Sequence, residues 1–413
     1  MEQSPPLDPA AEVRAFYESH PYPEPLRSLD QHRELYRNPD RRRALSLLLW
    51  PSEKLRTKRE ILVAGCGTSQ AAAHAMREPD AHVTGIDVSE TSLSHTGELQ
   101  RKYGLRNLNL RRLAIEEVEK LGQAFDEIVC TGVLHHLPDP DVGLRALRGV
   151  LAPDGAMHVM VYGTYGRAGI YMMQEYCRLL GVRAKEEELQ DLGALIGALS
   201  DDHPIAAVAR QAKDFRRPDA LADALLNPRD RAYTVPQLHA GLKRCGLSFG
   251  RWFEQAHYLP QCGAIASLPH AARLAALLPA EQHAAVELLR GTITRHNFIA
   301  YRDDRMGESQ PIRFDGDSWR NHVPLRLPWT LCVRERLPQG AAAVLINRAH
   351  TYSDLALPIN STEAGIYAAI DGKRSVDEIL QSTTGAAAAD HAPGFIKKLW
   401  EYDQIVLDAS GSH

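Results

Sequence analysis

The stretch from Ile61 to Asp87 constrains the fold of this chain more than any other. Four apolar residues, Ile61-Leu62-Val63-Ala64, run into Gly65-Cys66-Gly67-Thr68-Ser69. A helical run through Ala71, Ala72, Ala73 and Met76 follows, then a second apolar run, His82-Val83-Thr84-Gly85-Ile86-Asp87. An apolar run that ends in a glycine-rich turn and opens a helix is the first unit of an open α/β sheet. Gly65 permits a tight turn, and Gly67 lets a ligand approach bare backbone. Asp87 lies at the end of the second strand, about 20 residues beyond the loop, where a carboxylate can accept from both hydroxyls of a ribose. The third glycine of the dinucleotide fingerprint is missing, with Gln70 in its place. That argues against a pyrophosphate ligand and disfavours a nicotinamide-dependent oxidoreductase.

Further strands are expected at 108–110, 127–130, 156–162, 247–253 and 297–301, with helices between them, so the sheet is parallel and right-handed in its connections. Ser89 is placed to cap the helix that carries Leu93 and Leu99. Thr234, with Pro236 in the first turn, starts another. Residues 168–232 are helical and too long for a crossover loop, so they form an insert. A second helical insert is expected at 268–290. Residues 1–57 precede the first strand and form an N-terminal helical lid, broken by the prolines of His20-Pro21-Tyr22-Pro23-Glu24-Pro25. The Arg41-Arg42-Arg43 run marks a solvated helix start. The sheet domain spans 58–302. Residues 303–413 form a small α+β module, with strands at 329–336 and 343–346, a Ser375/Glu378 capping box and a last strand at 404–407. Its helices around the Asp371-Gly372 turn suggest a winged helix, but its acidic residues outnumber its basic ones, which opposes a role in DNA binding.

A net charge of −4 predicts no nucleic-acid or anionic-membrane partner. Met1 to Tyr17 does not read as a secretory signal, and no apolar run approaches the roughly 18 residues that span a bilayer. The six cysteines are scattered without a CxxC pair and read as reduced thiols of a cytoplasmic protein. No histidine spacing suits a metal.

The order of motifs resembles that of class I S-adenosylmethionine-dependent methyltransferases of the multidomain bacterial type. The residues that carry the resemblance are Ala64-Gly65-Cys66-Gly67-Thr68, Asp87, the segment Phe125-Asp126-Glu127-Ile128-Val129 through Val133-Leu134-His135-His136-Leu137, and Leu151-Ala152-Pro153-Asp154-Gly155. The chain departs from that family at Val63, where an acidic residue is usual, and at Ser69, where a third glycine is common. The resemblance implies an α/β fold: a Rossmann-like seven-stranded methyltransferase sheet with helical inserts and a small C-terminal winged-helix-like α+β module. It implies S-adenosyl-L-methionine as cofactor, with Ala64, Gly65, Cys66, Gly67 and Thr68 around its amino-acid end and sugar. Asp87 would take the ribose, Val88 and Ile115 would flank the base, and Thr131 and Gly132 would lie beside the methionyl part.

His135 is the candidate base, with a structural histidine as the alternative. Tyr22, Tyr165, Tyr162 and Tyr17 are candidates to line an acceptor pocket. The expected acceptor is a nitrogen or oxygen of a small metabolite or peptide. A protein lysine, or a non-catalytic cofactor-sensing role, is the alternative, and the sequence leaves a homodimer open.

Overall fold

The computed structural model describes residues 9–54, 56, 58–211, 215, 217–305, 312–383 and 392–411. It resolves into two compact units, the first formed by Met1–Arg33, Thr57–Phe249 and Arg290–Asp304, the second by Glu34–Arg56, Gly250–Leu289 and Arg305–His413.

The main sheet comprises strands β1 (Glu60–Ala64), β2 (His82–Asp87), β3 (Leu108–Arg112), β4 (Phe125–Thr131), β5 (Leu151–Gly163), β6 (Ala232–Tyr233) and β8 (Arg295–Arg302) of the first unit, and β7 (Leu247–Trp252), which begins in that unit. Seven of them run in the order β3-β2-β1-β4-β5-β8-β7, and the two-residue β6 pairs with the end of β5. The pairs from β3 to β5 are parallel, and β8 runs antiparallel to β5. This is the Rossmann-like sheet expected from the alternation of apolar runs and helices, with one correction: it is parallel only from β3 to β5, because β8 enters beside β5 in the opposite direction.

Ile61 and Val63 on β1 are fully buried among Ala71, Ala72 and Ala75 of the helix Gln70–Arg77. Small residues on that helix allow a close approach: a Cβ added at Gly85 of β2 would lie 2.7 Å from the Ala71 Cβ. Ser89 caps the helix Glu90–Tyr103 through the Ser92 amide, and Thr234 with Gln237 forms a full capping box on Val235–Arg244.

At the opposite end of the sheet from the strand tips, Arg59 pairs with Glu78 and Glu127, both at 2.9 Å. Arg77 adds a second cation at 3.3 Å from Glu127. Four helices, Ala168–Leu180, Glu186–Ala198, Pro204–Gln211 and Pro218–Leu226, fill the long segment between β5 and β6. They share a core of Ile170, Met173, Leu189, Leu192, Ile196, Ile205 and Leu221.

The second unit holds the antiparallel strands β10 (Thr330–Val333), β11 (Ala343–Asn347) and β12 (Leu357–Ile359), and a separate pair, β9 (Val323–Arg326) with β13 (Ile405–Asp408). Helices Ser361–Ala369, Val376–Thr383 and Ala392–Glu401 pack Ile366, Ile379, Phe395, Ile396 and Leu399 into its core. Ser375 and Glu378 cap reciprocally, as their spacing predicts.

The division into units corrects the expected domain limits. The helix Pro39–Leu49 is not part of a lid over the sheet domain; it belongs to the second unit. Its Arg43 donates to the Gly372 carbonyl at 2.6 Å and pairs with Asp408 at 3.0 Å, so that arginine is a tether rather than a solvated charge. Residues 268–288 likewise cluster with the second unit instead of forming an insert in the sheet domain. In both cases the segment's partners lie far away in sequence, where local periodicity carries no information.

The Arg59 cluster yields a stability prediction. Its side chain and that of Glu127 are each 3% exposed, so Arg59→Met leaves two buried carboxylates with Arg77 alone and should lower unfolding free energy by about 3 kcal/mol. Urea denaturation followed by circular dichroism measures this, and a loss below about 1 kcal/mol contradicts the assignment.

Candidate functional site

The tips of β1, β2, β4 and β5 frame a cavity of about 460 Å³. β1 ends at Ala64 and the chain turns at Gly65 with φ of +68°. A Cβ there would lie 2.4 Å from the Val133 side chain, so only glycine lets the β1 loop pass the β4 loop this closely.

Asp87 closes the other side. Its Oδ2 accepts from the Gly67 amide at 2.8 Å and its Oδ1 from the Ser89 amide at 2.9 Å. Each oxygen keeps a further lone pair, and the residue lines the cavity. Burial raises the carboxyl pKa, while those amide donors hold it down. Around this clamp, Thr96 Oγ1 donates to the Gly67 carbonyl at 3.0 Å and Gln70 Nε2 to Thr131 Oγ1 at 2.6 Å.

The N-terminal segment covers the opening. Thr68 Oγ1 donates to the Pro23 carbonyl at 2.8 Å. Glu18, on the helix Pro9–Ser19, accepts from the Glu90 and Thr91 amides at 2.8 and 3.1 Å. A carboxylate at a helix N-terminus is favoured by the free amides and the helix dipole. This anchor brings Tyr17, Tyr22 and Pro23 to the cavity wall.

Of the residues expected from sequence, the structure brings Gly65, Cys66, Gly67, Thr68, Asp87, Val88, Ile115, Thr131, Gly132 and Tyr22 together around this one cavity. Three others are not on its wall. Ala64 is fully buried within β1. Tyr165 begins the turn Tyr165–Arg167 and is 39% exposed, while Tyr162 on β5 lines the cavity instead.

His135 is the third correction. It is 1% exposed, its ring lies 3.8 Å from that of Tyr162, and neither ring nitrogen has a hydrogen-bond partner among the described residues. Burial, with the nearby His136 and Arg167, pushes its pKa well below the usual histidine range. His135 is therefore held in the neutral form and stands off the cavity wall. Its neighbour His136 lines the cavity. The Arg229 carbonyl can only accept, so His136 Nδ1 carries the proton of that hydrogen bond. In a neutral ring this leaves Nε2 as the acceptor.

Asp223 was not singled out from the sequence, because no motif surrounds it. It sits on the helix Pro218–Leu226, is 3% exposed and lines the cavity. Tyr17 OH donates to its Oδ1 at 2.8 Å, and Tyr162 OH to its Oδ2 at 3.3 Å. Asn227 Nδ2 donates to Tyr17 OH at 3.0 Å. Burial and the Asp223 charge raise the pKa of both phenols, which keeps them protonated as donors. The carboxylate has no cationic partner among the described residues. The nearby Arg167 is already paired with Asp230, and its guanidinium lies 3.5 Å over the Tyr162 ring.

Comparison with known proteins agrees with this geometry. Residues 62–157 match the family model described as a methyltransferase domain. An uncharacterized protein of a Synechococcus strain is 30% identical over 271 residues, covering 61% of this chain and 65% of that protein. The ubiquinone biosynthesis O-methyltransferase of Bordetella avium is 35% identical over 102 residues, covering 24% of this chain. The chain thus spans 65% of the first relative's length and 40% of the second's. The solved structure of PKMT2 from Rickettsia typhi in complex with AdoHcy is similar in fold, with a TM-score of 0.63 at 13% identity over 90% of this chain and 76% of that one. The strand order, the Gly65 turn and the Asp87 clamp, together with these matches, identify the sheet domain as a class I S-adenosylmethionine-dependent methyltransferase domain.

Proposed function

We propose that this protein transfers a methyl group from S-adenosylmethionine to an amine nitrogen of its acceptor. The reading rests on Asp223, a buried carboxylate that faces the cavity with no cation beside it. An isolated buried charge is costly, and neutral donors relieve only part of that cost. A protonated amine supplies the missing positive charge. Tyr17 and Tyr22 line the same cavity with aromatic rings, which attract cations as well. The amine of a metabolite and the side chain of a lysine both meet this requirement.

The cavity fits the cofactor. Bare backbone at Gly65 to Gly67 admits its amino-acid end, and the free lone pairs of Asp87 suit two ribose hydroxyls. Val88 and Ile115 offer apolar faces for the base, and Thr131 and Gly132 border the methionyl part. When bound, the cofactor supplies an electrophilic methyl carbon on a sulfonium.

The protein's own groups do the rest. Asp223 holds and orients the acceptor nitrogen. His136 Nε2 takes the proton that an ammonium must lose before its lone pair can attack, the step histidines most often serve in proton transfer. Tyr17, Tyr22 and Pro23 keep water out of the reacting volume.

Two predictions follow from this assignment. Asp87→Ala should weaken S-adenosylhomocysteine binding by roughly tenfold or more, the worth of lost hydrogen bonds to a charged group. In the native protein the raised Asp87 pKa makes that affinity start to fall, as pH is lowered, above the range of an ordinary carboxylate. Calorimetry across pH measures both, and an unchanged affinity in Asp87→Ala contradicts the role.

Asp223→Asn keeps the side chain's shape and removes its charge. With labelled donor and a bacterial extract, label should enter N-methyl groups, and the variant should cut incorporation by roughly 100-fold. The unliganded variant should also melt no lower than the native chain, because a buried unpaired charge has been removed. Label found on oxygen, or incorporation unaffected by Asp223→Asn, overturns the reading.

A further inference from the structure

Arg295 is the first residue of β8 and lines the same cavity as Asp223. It is solvent exposed as well, which places it at the opening. Its side chain has no hydrogen-bond or ion-pair partner among the described residues. In the antiparallel register of β5 and β8, Arg295 stands directly opposite Tyr162. Residues opposite one another in such a pair share a face of the sheet, with Cβ atoms about 4.5–5.5 Å apart. Tyr162 OH is itself bonded to Asp223. A buried anion and an uncommitted guanidinium therefore flank one tyrosine, on one side of one cavity.

The sheet order assigns this pair to the acceptor. The cofactor side is framed by the loops after β1, β2 and β4, whereas Arg295 stands on β8, beyond β5 and two places from β4. Arginine presents a planar fork that matches the oxygens of a carboxylate or a phosphate. Charges of opposite sign in one site select a ligand that carries both signs in the reverse arrangement.

Resting on the amine-methylation reading, we propose that the acceptor is a small zwitterion, an amine that also bears an acid group. Asp223 takes the amine and Arg295 takes the acid. The lysine side chain of a folded protein carries no acid group of its own, so Arg295 discriminates against it.

The test uses the full chain, methyl-labelled S-adenosylmethionine, and the small-molecule and protein fractions of a bacterial extract, incubated separately. Labelled product is passed over cation and anion exchangers. The proposal expects label in a small-molecule product retained by both. Phosphatase treatment then separates the two acid sources: loss of anion-exchanger retention marks a phosphate, and persistence marks a carboxylate. Arg295→Gln should lower formation of this product by roughly tenfold or more at subsaturating acceptor, mainly through KM. Its affinity for S-adenosylhomocysteine, read by calorimetry, should stay within about twofold of native.

Label in protein, or in an amine retained by the cation exchanger alone, overturns the proposal and leaves amine methylation standing. So does an Arg295→Gln variant that loses S-adenosylhomocysteine affinity instead, since Arg295 would then serve the cofactor's own carboxylate. Absence of N-methyl label from every fraction sinks amine methylation and this inference together.

Discussion

The site depends on one carboxylate held by two backbone amides. Asp87 ends β2, yet its oxygens accept from Gly67 in the loop after β1 and from Ser89 at the next helix start. The hydrogen bonds join two strand tips and two helix entries at a single side chain. They also satisfy one lone pair on each oxygen of a residue that lines the cavity. The clamp forms only because β1 and β2 are adjacent and parallel in register, Ala64 beside Ile86, and because the loop can turn at Gly65. Sheet topology, turn chemistry and ligand geometry thus converge on the same few atoms.

The acceptor side follows a different logic. Asp87 is a charge whose partners are supplied by the fold, whereas Asp223 is a buried charge whose partners are neutral. Folding alone does not relieve it, and the proposed cationic acceptor would. Strain of this kind is characteristic of binding sites and is tolerated where the surrounding core is secure. Here the insert helices bury Leu221, Ala222 and Leu225 on the same helix that presents Asp223. The ion pair of Arg167 with Asp230 fixes the ring of Tyr162 from behind.

Legibility from sequence tracked distance along the chain. The Gly65 turn and the place of Asp87 were readable because Gly65, Gly67 and Asp87 lie within one βαβ unit, where strand period, turn glycine and carboxylate recur at fixed offsets. The caps at Ser89, Thr234 and Ser375 were readable for the same local reason. Between His135 and His136 the sequence offered no means of choice. Adjacent residues in the turn Leu134–His136 point in different directions, and only the packing of Tyr162 and the Arg229 carbonyl decides which ring meets the cavity. Asp223 was invisible because an aspartate in a Leu- and Ala-rich helix carries no local signature. Its significance comes from Tyr17, 206 residues away. The second unit was misdivided for the same reason, since the ion pair of Arg43 with Asp408 spans 365 positions.

That contrast also explains where the family match stops. The matched segment, residues 62–157, contains the loop glycines, Asp87, Ile115, Thr131 and His136. Tyr17, Tyr22, Tyr162, Asp223 and Arg295, the residues proposed to meet the acceptor, all lie outside it. A cofactor of constant structure demands constant geometry, and a contiguous βαβ core provides it. An acceptor that differs from one enzyme to the next is met by parts that can change without disturbing that core: a covering N-terminal helix, an insert between β5 and β6, and the exposed start of β8. Function within such a fold is written in those additions. On the proposed reading, the opposed charges of Asp223 and Arg295, not the glycine loop, carry the information about the acceptor.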